Sequence, residues 1–293
     1  MNALQRTLGY IYYHPLASRN LFSAYRRLVW WQIRSRLSSD LVPVPFISGT
    51  KLLAKKRLVG MTGNIYTGLA DFEEMGFLLH FLRPGDIFYD VGANVGSYSI
   101  LASGVCFART VAFEPGREAF DILRKNINLN FLSDKITPVY SAVGNKQTSL
   151  LLTSDEDATN HVVDENASEK KTLVDCMPLD EFASQTPVLM KIDAEGFETE
   201  VLNGAENLLA KPDLKAIIIE LNGSGGRYNF DEQAIDGKLR SLGFIPHSYN
   251  PENRKLTPLK IYQNFNTIYI RDPEFVRERI RHGKAFLVFH KYI

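Results

Sequence analysis

The feature that most constrains this chain is the run Asp90-Val91-Gly92-Ala93-Asn94-Val95-Gly96-Ser97. It ends the β-rich segment Ile87–Val91 and opens a helix-like stretch, Ser97–Ser103. Glycines at a strand-to-helix turn let the backbone bend sharply and approach a ligand closely. An acid, Glu114, closes the next β-rich run, Thr110–Glu114, 22 residues after Gly92. In doubly wound folds an acid at about that separation holds the hydroxyl pair of a ribose. Strand, glycine loop, helix and acid together predict a site for a nucleoside-containing cofactor. The dinucleotide fingerprint needs glycine at the first, third and sixth positions. Counted from Gly92, the third is Asn94 and the sixth is Ser97, so that pattern fails twice. No Gly-Lys-Ser/Thr follows, which excludes the loop that cradles a triphosphate. S-adenosylmethionine has no phosphate and tolerates side chains in the loop.

The same rhythm continues downstream. Glu118–Asn130 reads as a helix, Ile136–Val143 and Val188–Asp193 as strands, and Glu198–Leu209 as a helix. Ala216–Leu221 has four apolar residues in a row before its acid, as a strand buried on both faces does. Glu232–Leu242 reads as a helix, and Phe244–Tyr249 and Thr267–Ile270 as the last strands. Strands alternating with helices predict βαβ units, hence an α/β fold with a mostly parallel sheet and helices on both faces. Residues 144–187 are polar and carry few such units, so they are expected to form a hairpin plus a loop, the natural place for a substrate lid. Upstream, Asp71–Phe81 is expected as a helix with Asp71 as N-cap and Pro84-Gly85 as its stop. Residues 46–68 are expected as short β segments with turns at Ser48-Gly49 and Thr62-Gly63-Asn64. The expected division is an N-terminal extension, 1–70, and a catalytic domain, 71–293.

The net charge of +1 points to no partner, but its distribution is uneven. Residues 1–60 hold ten Lys or Arg (Arg57 among them) against one acid, Asp40. A basic arm on a mildly acidic body follows. Residues 20–37 read as an amphipathic helix, with Arg19, Arg26, Arg27 and Arg34 on one face and Leu21, Phe22, Tyr25, Leu28, Val29 and Ile33 opposite. Such a helix either packs on the domain with a solvated basic face or touches a membrane surface or another anionic partner. Nucleic acid is not expected, because the catalytic body is net negative. Cys106 and Cys176 lie in apolar stretches and read as buried free thiols rather than a disulfide. No run of about 18 apolar residues is present and no signal-like segment opens the chain, so the expected location is cytoplasmic.

The run Phe88-Tyr89-Asp90-Val91-Gly92-Ala93-Asn94-Val95-Gly96-Ser97-Tyr98-Ser99 resembles the first motif of the FkbM-type methyltransferases. Ala112-Phe113-Glu114-Pro115, Leu123-Arg124-Lys125-Asn126 and Asn130 are similar to the segments that follow it there. Lys191-Ile192-Asp193-Ala194-Glu195-Gly196 with Val201-Leu202-Asn203-Gly204-Ala205 resembles that family's most distinctive block, and Ile218-Ile219-Glu220-Leu221 its closing acidic strand. The resemblance covers about residues 84–250. It implies a Rossmann-like class I methyltransferase fold, a seven-stranded sheet whose last strand is antiparallel. It further implies S-adenosylmethionine as donor and an O-methyl product. The acceptors it implies are sugar hydroxyls, polyketide-like natural products and lipid-linked or glycan groups.

Ligands of such sheets sit beyond the carboxyl ends of the strands. Asp90, Gly92, Asn94, Gly96 and Ser97 are therefore expected around the methionine half of the cofactor, with Asp193 beside them, Glu114 at the ribose and Ser141-Ala142-Val143 over the adenine. Glu114 could instead be a surface capping acid, and Asn94 simply a turn residue with positive φ. Asp193, Glu195 and Glu220 bring three carboxylates to one rim. Lys191, two residues before Asp193, shares its face of the strand. The pair is either a structural ion pair or a device in which Asp193 orients or deprotonates the acceptor hydroxyl. A positioned base is worth roughly 10²–10⁴-fold. His161, in Thr159-Asn160-His161 on the expected lid, is the leading histidine for that role, while His80 reads as core. Asp193, Glu195, Glu220 and Asn222 are oxygen ligands of a type that suits Mg²⁺ or Ca²⁺, but the leading expectation is no metal. Two other readings compete. An N-methyltransferase would place an Asn/Asp-Pro-Pro-Tyr-like motif where Asp193-Ala194-Glu195-Gly196 stands; the other reading is a non-enzymatic or NAD-binding Rossmann module, and the missing glycines argue against NAD binding.

Overall fold

The computed structural model of the chain describes residues 3–38, 40–56, 58–153, 160–164 and 166–293; Arg57 and Thr159 lie outside them. Helices α1 (Ala3–Tyr13) and α2 (Leu21–Leu37) come first. The hairpin β1 (Val42–Pro45) and β2 (Lys51–Ala54) and helices α3 (Val59–Thr67) and α4 (Phe72–Phe81) follow. The alternation then begins with β3 (Ile87–Val91), α5 (Ser97–Ile100), β4 (Arg109–Phe113), α6 (Arg117–Leu129) and β5 (Ile136–Val139). A second sheet interrupts it: β6 (Ala142–Val143), β7 (Thr148–Thr153), β8 (Val162–Val163) and β9 (Lys171–Met177). The alternation resumes with β10 (Leu189–Ile192), α7 (Glu198–Asn203), α8 (Glu206–Ala210), β11 (Ala216–Leu221) and α9 (Glu232–Ser241). Strands β12 (Ile245–Asn250), β13 (Lys255–Pro258) and β14 (Phe265–Ile270), helix α10 (Pro273–Arg281) and the hairpin β15 (Leu287–Val288) and β16 (Lys291–Tyr292) complete the chain.

The main sheet runs β13-β12-β14-β11-β10-β3-β4-β5. Strands β5, β4, β3, β10 and β11 pair in parallel, and β14 enters antiparallel between β11 and β12. This is the expected seven-stranded Rossmann-like arrangement with one more edge strand, β13, folded back on β12. Side chains alternate across each strand, and both faces of the sheet are covered. Phe88, Ile218, Ile268 and Ile270 pack with Phe77, Phe81, Leu101 and Val276 on one side. Tyr89, Ile217, Ile219 and Tyr269 pack with Val201, Leu208, Leu239 and Phe244 on the other.

Several local expectations are corrected. The Ser48-Gly49 turn forms, with Ser48 at φ 52°, but Thr62-Gly63-Asn64 lies inside helix α3. Leu58, Met61 and Ile65 recur at helical spacing and are all buried, so packing overrides the glycines. The strand expected over Ile136–Val143 stops at Val139, and Ala142–Val143 leaves to pair with β9. The helix expected over Glu198–Leu209 breaks at Gly204, where a Cβ would lie 1.9 Å from the Gly144 carbonyl oxygen. The hairpin expected in the lid forms as part of a four-stranded sheet, with β9 pairing β7 over six residues; residues 154–159 and 165 of that stretch lie outside the described residues. Cys106 and Cys176 are free and buried.

Helix α2 packs through a different face from the one expected. Ala24, Leu28, Trp31 and Ser35 are buried, while Phe22, Val29 and Ile33 face solvent. Arg27 is pulled inward: its guanidinium donates to the Tyr66 carbonyl and stacks on the Phe289 ring. The N-terminal elements share one core with the sheet domain, in which Ile11, Leu28, Trp31 and Leu52 pack with Val95, Ile100, Phe120 and Leu123. No helix of the described residues is long and apolar enough to cross a membrane.

Candidate active site

The glycine loop forms where β3 ends against β10. Gly92 adopts φ +73°, and a Cβ there would sit 1.7 Å from the Asp193 carbonyl oxygen. Only glycine fits both the dihedral and the approach. Asn94 adopts φ 50°, the left-handed turn conformation weighed for it above. Its backbone N–H donates to Glu114 Oε2 at 2.7 Å, and the Gly116 N–H donates to Oε1 at 2.7 Å. Glu114 therefore ties the glycine loop to the start of α6 and does not act as a surface cap. Burial pushes its carboxyl up to about 7, against those two hydrogen bonds.

Two cavities meet at Gly92, Asn94, Asp193 and Glu195. The first is walled by Phe113, Glu114, Ser141, Ala142, Val143 and Phe197, with Leu152, Asn160, His161 and Val162 of the small sheet closing over it. Ser141 is held by its hydroxyl, which reaches the Ala142 and Asp175 carbonyls. The Thr153 hydroxyl accepts from the His161 backbone N–H at 3.0 Å. The second cavity is lined by Asp71, Asp90, Ser97, Tyr98, Lys191, Glu220 and Asn266. Gly96, at φ +91°, makes the left-handed turn into α5. Apart from Gly96 and Asn222, the expected residues line one or other of these adjoining cavities, and the structure divides them. His161 lines the first cavity with Glu114, and Lys191 and Glu220 line the second.

In the second cavity one cation faces five carboxylates: Asp71, Asp90, Asp193, Glu195 and Glu220. Lys191 Nζ bonds Asp193 Oδ2 at 2.8 Å and lies 4.9 Å from the Tyr98 ring centre. Burial alone would favour neutral Lys191, but Asp193, Asp90 and Asp71 outweigh it and hold the ammonium charged. Asp90, opposite Lys191 in the sheet register, accepts from Ser99 Oγ at 2.6 Å through Oδ2. Its other oxygen, Oδ1, is buried with no partner among the described residues. A cationic donor such as the ammonium of a methionine moiety fits that orphaned acceptor. Burial and the Asp193 charge raise Glu195, to about 7, and also raise Glu220. Glu195 adopts φ 52°, and the following Gly196, at φ +98°, approaches the Ser224 carbonyl too closely for a Cβ.

Asp193, Glu195 and Glu220 offer oxygens within 4.8 Å of one another, a spacing that a hard cation could bridge. Lys191 already supplies a positive charge to Asp193 at hydrogen-bond distance. Asn222, the fourth candidate, donates instead to Glu220 Oε2 at 2.9 Å. Asp71 and Tyr98 line the second cavity although the sequence does not mark them as site residues. Asp71 stands at the N-cap of α4 but makes no capping bond; its Oδ2 accepts from Tyr98 OH at 2.9 Å. Tyr98 directly follows the glycine-loop run, and that position is the available signal. His80 is core, as expected: Nδ1 lies 2.7 Å from Tyr249 OH, and burial lowers it to about 4.

Residues 90–246 match the methyltransferase FkbM domain. The chain belongs to this family. The FkbM chain is similar to the hexuronic acid methyltransferase AglP of Haloferax volcanii, at 27% identity over 152 residues, which cover 50% of this chain and 59% of that protein. It is similar to Methyltransferase 1 of Beauveria bassiana, at 27% identity over 209 residues, covering 62% and 83% of the two chains. A solved methyltransferase FkbM from Methylobacillus flagellatus KT aligns with a TM-score of 0.43 at 17% identity, over 74% of this chain and 55% of that one. The chain thus spans between half and two thirds of the length of the first and third of these proteins.

Proposed function

We propose that this FkbM-family protein transfers the methyl group of S-adenosylmethionine to a hydroxyl oxygen of a sugar, glycan or natural-product acceptor. The observation that carries this reading is the meeting of the two cavities at Gly92, Asn94, Asp193 and Glu195. The first has apolar walls and the buried acid Glu114, which suit an adenosine. The second has the unpartnered Asp90 oxygen for a methionine ammonium and free rim for an acceptor.

Bound S-adenosylmethionine supplies a methyl group already activated on a sulfonium. What remains for the chain is to align the acceptor oxygen and receive its proton. Glu195, raised to about 7, is suited to take a proton near neutral pH. Lys191 holds Asp193 in place for orienting the hydroxyl. An amine acceptor is disfavoured, because so many carboxylates would keep it protonated and non-nucleophilic. The relative that acts on a hexuronic acid supports a sugar acceptor. The acidic lining favours a neutral hydroxyl over one whose neighbour is a carboxylate.

The test is calorimetric titration with S-adenosylhomocysteine, with NADH and ATP as controls. Label transfer from S-adenosylmethionine to neutral glycans, uronate glycans, polyketide alcohols and amines then follows. Binding of the first ligand alone and label on oxygen are expected. No binding at millimolar ligand, or label on nitrogen, refutes the reading.

A further inference from the structure

The outward face of α2 has the composition of a helix that lies in a bilayer surface. At 100° per residue, Val29, Phe22, Ile33, Leu37 and Trp30 fall within about a 100° arc opposite the buried Ala24-Leu28-Trp31-Ser35 seam. Phe22 is 81% exposed, Ile33 55% and Leu37 78%, apolar side chains in solvent on a helix whose other side is already packed. Arg26 projects from the middle of that arc, and Arg36 and Arg34 flank it. Helix α1 packs beside α2 and leaves Leu4, Tyr12 and Tyr13 exposed.

The charge pattern selects the occupant. No Asp or Glu occurs before Asp40. Arg27 is committed to the Tyr66 carbonyl and Arg19 to Glu252. Arg26, Arg34 and Arg36 have no acidic partner among the described residues. Apolar side chains ringed by unpaired arginines match an interface with acyl chains below and anionic headgroups around. We propose that the outward face of α2 docks the protein on the surface of an anionic phospholipid bilayer, with Phe22, Val29 and Ile33 entering the headgroup layer and the arginines binding lipid phosphates. This assignment stands apart from the methyl-transfer reading, and its test does not use activity.

The chain has two tryptophans, Trp30 in the outward arc and Trp31 in the core seam at 2% exposure. In a Trp31→Phe background Trp30 alone reports the face. The full chain is mixed with phosphatidylglycerol-containing vesicles or with pure phosphatidylcholine vesicles, then floated on a density gradient. Flotation with the anionic vesicles only, with a blue shift of Trp30, is expected. Ile33→Asp, or Arg26→Glu with Arg34→Glu, is expected to weaken that partition at least ~10-fold. Unchanged melting temperatures keep these variants interpretable, since all three positions are exposed. No flotation at low salt overturns the proposal, as does undiminished flotation of Ile33→Asp. So does a vesicle-free dimer that Ile33→Asp dissolves, which would assign the face to a second copy.

Discussion

Replacing Lys191 by Met tests whether the acidic cavity depends on its one internal cation. Met has nearly the same reach and volume, so packing is largely kept and the charge is lost. Lys191 is 4% exposed and Asp90 1%, and Nζ lies 2.8 Å from Asp193 Oδ2. Removing one partner of a buried pair costs roughly 3–5 kcal/mol, because the other charge is left uncompensated. At roughly 2–4 °C per kcal/mol, the melting temperature should fall by about 6–20 °C near pH 8. The pH dependence gives a second, sharper readout. Burial already raises Asp71 and Asp90, and Lys191 restrains both. Without it their folded-state values rise further above those of the unfolded chain. The folded variant then binds more protons than the unfolded one, so its stability falls as pH rises and recovers as pH falls. Thermal unfolding of both proteins from pH 5 to pH 8 should show a deficit that shrinks toward pH 5. An unchanged melting temperature at pH 8, or a deficit that grows toward acid, would refute the reasoning.

Glu114→Gln turns an acceptor of two backbone N–H groups into a side chain that must face one with its own N–H₂ group. S-adenosylhomocysteine should bind about 10–100-fold more weakly by calorimetry, the equivalent of one unsatisfied buried donor. Protonation of Glu195, raised to about 7, should make kcat/KM for methyl transfer fall as pH drops below about 7; a pH–rate profile should show that limb, and Glu195→Gln should flatten it. Because His161 lines the first cavity rather than the second, His161→Ala should raise the donor KM several-fold and leave kcat within about threefold. A collapse of kcat at saturating donor would return His161 to the role of base.

Much of the fold was legible because its signals are local. The Asp90–Ser97 run, the acid at Glu114 and the apolar strand Ala216–Leu221 each state their element with little help from distant residues. What was not legible depends on contacts far along the chain. Helix α3 reads as turns until its buried face is known. Gly204 breaks a helix because the Gly144 backbone crosses it. The packing face of α2 could not be chosen by counting apolar residues, since the buried seam includes Ala24 and Ser35 while Phe22 and Ile33 stay outside. The site divides likewise. Glu114 and Asp193 could be placed from strand ends, but Asp71 reaches the second cavity from an element before the sheet, and its tie to Tyr98 spans 27 residues.

Asn126 and Asn130 carried part of the family resemblance without an evident task, and the structure supplies one. Strand β2 pairs with β1 along one edge only. On its other edge the Leu53 N–H donates to Asn126 Oδ1 at 2.7 Å, and Lys51 exchanges both backbone groups with the Asn130 amide at 2.8 Å. Two side-chain amides, one on α6 and one at its C-cap, four residues apart, thus serve β2 as a neighbouring strand would. Asn126 is fully buried, and its Nδ2 also donates to the Val95 carbonyl at 2.8 Å. One amide therefore joins the N-terminal hairpin, the helix after Glu114 and the glycine loop. Each buried backbone group left unpaired by its loss costs about 1–3 kcal/mol, and the groups concerned lie on both sides of the junction. For that reason residues 1–70 and the glycine loop are tied through the same helix. The N-terminal residues hold the far side of the helix that Glu114 holds from the near side, and the conformation of the glycine loop rests on both.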